Sequence, residues 1–109
     1  MTISIDDFKK IEIKIGEILS AEKVVDADKL LKLSVNFGEE TPRQIISGIS
    51  MYFENPTDLV GKKCAFATNL EPRVIKGLES QGMILAVSGD EFFSLLTAES
   101  NTTPGASVK

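Results

Sequence analysis

The chemistry open to this chain is bounded by what it lacks: of its 109 residues none is histidine, and only Cys64 is cysteine. Without an imidazole the usual general base near neutral pH is missing, and so is the commonest zinc ligand. A lone thiol closes no internal disulfide and builds no thiolate metal site, which fits a reducing cytoplasm. Cys64 stands in an apolar run, where a small buried hydrophobe is the expectation and not a nucleophile. No glycine-rich phosphate loop with its lysine is present. The residue types therefore argue against catalysis and call for no cofactor. What remains is a set of cations, amides and hydroxyls suited to gripping a polyanion. Net charge is −4, which opposes phosphate binding at face value, yet distribution matters more than the sum. Residues 29–76 hold Lys29, Lys32, Arg43, Lys62, Lys63, Arg73 and Lys76 against five acids, whereas residues 1–28 hold four lysines against seven acids.

These cations must be carried by strands. The length suits one domain over residues 1–109, and apolar stretches are broken by charge too often for a membrane span. Ser4 with Asp7 three residues on reads as an N-cap for a helical turn over residues 5–10. Ile11, Ile13 and Ile15 alternate with Glu12, Lys14 and Gly16, so residues 11–25 are predicted as a half-buried strand, with Gly16 as the site of a bend or bulge. After a turn at residues 26–28, Leu31, Leu33, Val35 and Phe37 form the apolar face of a second strand ending at Gly38. A polar hairpin connection at 39–42 leads to a third strand, Arg43 to Ile49. Asn55, Pro56 and Asp58 mark a short capped helix that Gly61 would stop. A fourth strand over residues 62–69, a loop with Pro72, an apolar strand from Met83 to Val87 and a last one from Phe92 to Thr97 complete the pattern. Pro104 and Gly105 belong to an irregular tail. Several short strands with one helix before the fourth predict an all-β fold, a small closed barrel of five strands in which the helix sits between strands three and four.

Five phrases in order then become recognisable: Ile5-Asp6-Asp7-Phe8, Asp28-Lys29-Leu30-Leu31, Arg43-Gln44-Ile45-Ile46-Ser47-Gly48-Ile49, Asn69-Leu70-Glu71-Pro72-Arg73 and Ser80-Gln81-Gly82-Met83. With them the sequence resembles, from about Ile3 to Val108, the tRNA-binding domain at the C-terminus of many bacterial and archaeal methionyl-tRNA synthetases. Relatives occur as free-standing dimeric tRNA-binding proteins and as synthetase-associated factors. The resemblance implies an OB-fold barrel with short helices and a C-terminal strand extension, usually a homodimer, binding tRNA by shape more than by sequence. Lys29, Arg43, Ser80 and Met83 match the family's RNA-contacting positions. Asn69, Arg73 and Lys76 share the same loop pattern, and Lys32 stands beside the first turn. The chain departs from the pattern at Val74, where close relatives carry a cation; Lys76 is the expected replacement.

Each residue also has a plainer reading. Lys29 and Lys32 would be solvated charges beside a turn, Met83 a core residue opening an apolar strand, and Ser47 a residue that only serves a bulge beside Gly48. The phenylalanines (Phe8, Phe37, Phe53, Phe66, Phe92 and Phe93) mostly occupy core-like positions, which disfavours stacking on an extended single strand and favours a folded RNA. The expected partners are tRNA, a second copy joined through residues 85–108, and a synthetase catalytic domain, with no membrane. The competing reading within the same fold is a secretion-chaperone-like dimer that holds unfolded protein on an apolar patch.

Overall fold

In the computed structural model, which describes residues 1–109, the predicted alternation becomes two long antiparallel strands. Strand β1 (Ile13–Val24) and strand β2 (Ala27–Asn36) pair from Glu17↔Asn36 to Val24↔Ala27. The turn is therefore Val25–Asp26, shorter and earlier than expected; Asp26 takes the left-handed conformation, φ 61°, that a short polar side chain tolerates. Strand β3 (Arg43–Ser47) pairs with β2, and strand β4 (Lys63–Ala67) pairs with the first half of β1. Two short hairpins follow: β5 (Arg73–Ile75) with β6 (Leu78–Ser80), and, after β7 (Met83–Ile84), β8 (Ala86–Ser88) with β9 (Phe93–Leu95). The five-stranded sheet runs β3-β2-β1-β4-β7.

Its inner face is the core. Leu31, Leu33 and Val35 of β2 are fully buried while Lys32, Ser34 and Asn36 between them are not, as the period of two demands. Ile18, Ile45, Cys64, Phe66 and Ile84 meet them, and Phe37 packs edge-on against Phe66 at 5.2 Å between ring centroids. Each of the larger side chains contributes roughly 1.5–3 kcal/mol by leaving water. Burial also pushes the Cys64 thiol up to about 11, so it stays neutral and inert.

Gly16 does not bend the strand. It stands in unbroken register between Ile15↔Ala65 and Glu17↔Lys63, and the register shift falls later, between Ile18 and Ser20. The glycine is needed because a Cβ there would lie 2.5 Å from Val35 Cγ1 and 2.6 Å from Phe37 Cε1. The helix expected between the third and fourth strands is a single 3₁₀ turn, Pro56–Leu59, which drives Leu59 into the core; Asn55 precedes it but makes no side-chain cap. Strand β3 ends at Ser47, two residues short of the expected Ile49, and a second 3₁₀ turn, Ser50–Tyr52, follows with Ile49 at its N-cap. Helix α1 (Ile5–Phe8) is capped as predicted: Asp7 N donates to Ser4 Oγ at 3.1 Å. No helix is long and apolar enough to cross a membrane.

Two expectations about the chain's second half are corrected. The predicted strand Met83–Val87 breaks at Leu85: its N–H still bonds Ala65 O of β4 and its C=O accepts from Leu96 N–H, after which the chain leaves β4 and pairs with β9. The tail is not irregular throughout: residues 105–108 run back along β1, with Ile15 N donating to Ala106 O at 2.9 Å and Val108 N to Ile13 O at 2.8 Å. Nor does the ladder close into a barrel, for β3 and β7 are not paired. The seam between them is crossed by the segment ending β6. Ile46 N donates to Ser80 Oγ at 2.9 Å, Gln81 N to Gln44 O at 2.8 Å, and Gln44 N to Gln81 Oε1 at 2.9 Å.

Gly16→Ala inserts a methyl between β1 and the Val35–Phe37 pair, an overpacking that costs about 1–3 kcal/mol. Urea denaturation should show that loss with an unchanged m-value; wild-type stability would refute the account of this glycine.

Candidate nucleic-acid interface

The β5–β6 hairpin is the wall against which most of the sequence-selected cations gather. It is closed by Lys76-Gly77, both at positive φ (52° and 80°) between the paired residues Ile75 and Leu78, the geometry of a type I′ turn. The left-handed conformation is natural for Gly77 and unfavourable for a lysine. It sets Lys76 at the apex, between two open concavities. One, about 410 Å³, is shared with Asp26, Asp28 and Lys29 of the β1–β2 turn. The other, about 340 Å³, is shared with Glu22, Lys23 and Lys32. At the hairpin's other end Arg73, Met83, Leu70 and Glu71 line a small cleft of about 70 Å³ that shares Ile75 with the first concavity. Turn, hairpin and cleft thus make one continuous surface, the loop-flanked region by which OB-type sheets bind oligonucleotides.

On that surface Lys29, Arg73 and Lys76 are exposed and form no ion pair, whereas Lys32 is held by Glu22 at 2.8 Å. Met83, for which the sequence left core and surface readings open, is 49% exposed. Asp26, Asp28, Glu71 and Glu79 stand among the cations, so the face is mixed in charge.

The remaining sequence-selected residues are occupied by the protein itself. Arg43 makes a bidentate pair with Glu39, Nε to Oε1 at 2.9 Å and Nη2 to Oε2 at 2.8 Å. Its Nη1 donates to Thr68 O at 2.7 Å and to Gln81 O at 3.3 Å, and the guanidinium lies 5.4 Å from the centroid of the Phe37 ring. The hydrogen bonds between them hold the Glu39 carboxyl below its ordinary value and raise Arg43. Ser80 is 5% exposed; besides accepting from Ile46 N, its hydroxyl donates to Gly82 O at 3.0 Å. Asn69 accepts from Glu12 N at 2.8 Å and donates to Lys10 O at 2.7 Å, tying the chain before β1 to the end of β4. Sequence reasoning missed Gln44 and Gln81 as members of this network, although both lie inside the quoted phrases. It also missed the hairpin, for which the one signal was a Lys-Gly pair between Val74-Ile75 and Leu78. No group of three His, Cys, Asp or Glu is placed to hold a metal ion.

A coiled five-stranded sheet carrying a mixed, cation-bearing surface along one hairpin defines an all-β binding module. Comparison with known proteins identifies which: residues 13–107 match the tRNA binding domain family, and the chain belongs to it. Among curated relatives, methionine–tRNA ligase of Methanospirillum hungatei is 51% identical over 107 residues, 98% of this chain, and that of Thermotoga maritima is 44% identical over 106 residues. The chain spans 16% of the length of either relative. The crystal structure of a MetRS related protein from Pyrococcus horikoshii superposes with a TM-score of 0.92 at 35% identity, covering 100% of this chain and 99% of that one. A CsaA chaperone protein from Picrophilus torridus, at 24% identity and a TM-score of 0.87 over 99% of this chain and all of that one, shares the fold.

The strained apex yields a prediction. Lys76→Asn replaces a lysine at positive φ by a residue that tolerates it, so stability should rise by about 0.5–1 kcal/mol. If Lys76 is there to meet a polyanion, the same change should weaken RNA binding; thermal unfolding and a filter-binding titration on one sample check both signs.

Proposed function

We propose that this domain binds folded tRNA through the surface built by the β1–β2 turn, the β5–β6 hairpin and the cleft at Met83. In this reading it acts as an accessory module that raises the tRNA affinity of a methionyl-tRNA synthetase catalytic domain, or works as a free-standing tRNA-binding protein in the cytoplasm. The observation that carries the reading is the row of unpaired cations, Lys29, Lys76 and Arg73, along one surface of a domain that belongs to the tRNA binding domain family. Lys32 joins them on release from Glu22. Phosphate contacts of this kind fix register and orientation, while Met83 with Leu70 offers an apolar platform for an unstacked base or a ribose edge.

A homodimer through the C-terminal segment belongs to the same proposal. Phe93 and Leu95 of β9 turn towards the core while Phe92 and Leu96 remain exposed, as the period of two requires. Phe93 also stacks on Tyr52 at 4.0 Å and 4°, and Tyr52 is itself 48% exposed. Such a patch suits self-association. A two-fold partner would double a shallow, mixed-charge binding surface and raise affinity by effective concentration. The same patch is what a chaperone-like reading would use for unfolded clients; the unpaired cations on the hairpin have no part in that reading.

Titration of tRNA, single-stranded RNA and duplex DNA, with the salt dependence of each, tests the proposal. Folded tRNA is expected to bind best and with little dependence on anticodon. Lys29→Ala, Arg73→Ala and Lys76→Ala should each weaken it and flatten the slope of log K against log salt by roughly 0.7–0.9 per contact. Light scattering of the same samples should give about twice the 11.8 kDa chain mass. Unchanged tRNA binding by all three variants would place the RNA elsewhere.

A further inference from the structure

Among the residues matched to RNA contacts, Arg43 and Ser80 have their polar atoms turned inward, and both bond the same piece of chain. Residues 69–80 leave the sheet after β4 and return at Gln81 before β7, carrying Arg73 and Lys76 out and back. One guanidinium nitrogen, Arg43 Nη1, donates to Thr68 O at the exit and to Gln81 O at the return. The next residue of β3 continues the attachment. Gln44 Nε2 donates to Glu79 O at 2.8 Å, and Gln44 exchanges two further bonds with Gln81. Two residues on, Ile46 N–H bonds the buried Ser80 hydroxyl. Glu39 grips the far side of the guanidinium and the Phe37 ring lies beneath it, so Arg43 has one direction in which to point.

We propose that Arg43, Gln44 and Ser80 form a clasp that positions the β5–β6 hairpin, and that Arg43 and Ser80 serve RNA binding through the hairpin and not by touching RNA. The proposal rests on the tRNA-binding reading above and deepens it. Closing an excursion of this length costs loop entropy, and a short two-stranded ribbon is marginal on its own. Ladder bonds to β3 would supply that attachment in a closed barrel; here the ladder is open, and side chains do most of it, with one backbone bond from Gln81 N to Gln44 O. A fork-shaped, fully delocalised donor suits the task because it reaches two carbonyls and a carboxylate at once, which an ammonium cannot. The clasp also fixes the distance from the hairpin apex, with Lys76, to the β1–β2 turn, with Lys29, and a ligand read by shape depends on such spacing.

The test uses Arg43→Lys, which keeps the charge and loses the fork, and Gln44→Ala, which changes no charge. Amide exchange of the free protein and tRNA titration are measured on both. Faster exchange at Ile46 and Gln81 with weakened tRNA binding is the expected result for each: about tenfold for Arg43→Lys, which loses charge-assisted bonds, and about threefold for Gln44→Ala, which loses the neutral bond to Glu79 O. Should Arg43→Lys fail to fold, Gln44→Ala carries the test alone, since its amide nitrogen is spent on Glu79 O and its loss removes no charge. Arg43→Lys binding tRNA like wild type would overturn the proposal. So would weakened binding with exchange unchanged, which is the signature of a direct contact. If the wild type does not bind tRNA, the functional reading fails while the exchange measurement still decides whether the clasp holds the hairpin.

Discussion

Two strand edges, β3 and β7, face one another without a ladder between them, and the rest of the structure depends on how that gap is spanned. An open edge exposes unpaired N–H and C=O groups, a liability in any small sheet. Here the segment between Leu78 and Gly82 fills the gap with a serine hydroxyl and a glutamine amide, each satisfying a β3 backbone N–H. No buried side-chain nitrogen or oxygen is left without a partner. The solution has a consequence for function. A ladder would have fastened strands only, whereas side chains reaching across the seam also fasten the hairpin that grows out of it. Core packing through Phe37 reaches the same place, because that ring packs on Phe66 inside and lies beneath Arg43 outside.

Charge sets the second constraint. The chain carries −4 overall, so at long range it repels nucleic acid, and binding has to be local. The proposed face answers with isolated cations separated by acids instead of a uniform basic stripe. Such a pattern rewards a ligand whose phosphates fall at the right separations and penalises one that merely brings charge. Rigid placement of the cations then matters more than their number. That is why a lysine at positive φ on a hairpin apex, with its strain, is consistent with binding, and why the clasp beneath it belongs to the same design.

The legible part of the fold was the part governed by period two. The alternation around Ile13 and from Leu31 to Phe37 located β1 and β2, and Cys64 with Phe66 located β4, although only β2 alternates cleanly and β4 is buried on both faces from Cys64 to Ala67. Elements of two or three residues carry no period, so the β5–β6 hairpin and the break at Leu85 were invisible. The seam was illegible for another reason: Ile46 and Ser80 lie 34 residues apart, and nothing local marks a serine as one that will bond a distant backbone. The same holds for the site. Residue type and family likeness selected the cations as one group, and exposure separates them. Lys29, Arg73 and Lys76 point to solvent, while Arg43 is consumed by Glu39, Thr68 and Gln81. Gly16 shows the limit most simply, because its reason is the pair Val35 and Phe37 overhead and not the strand it occupies.

The central claim is that folded RNA docks on the surface between the β1–β2 turn and the Met83 cleft. Backbone amide chemical-shift mapping of the labelled domain during titration with folded tRNA tests it most directly. Perturbations concentrated at residues 26–32 and 70–83, with residues 50–53 and 92–97 unmoved by RNA, are the predicted result. Perturbations centred on Tyr52, Phe92 and Phe93, with the hairpin silent, would contradict it.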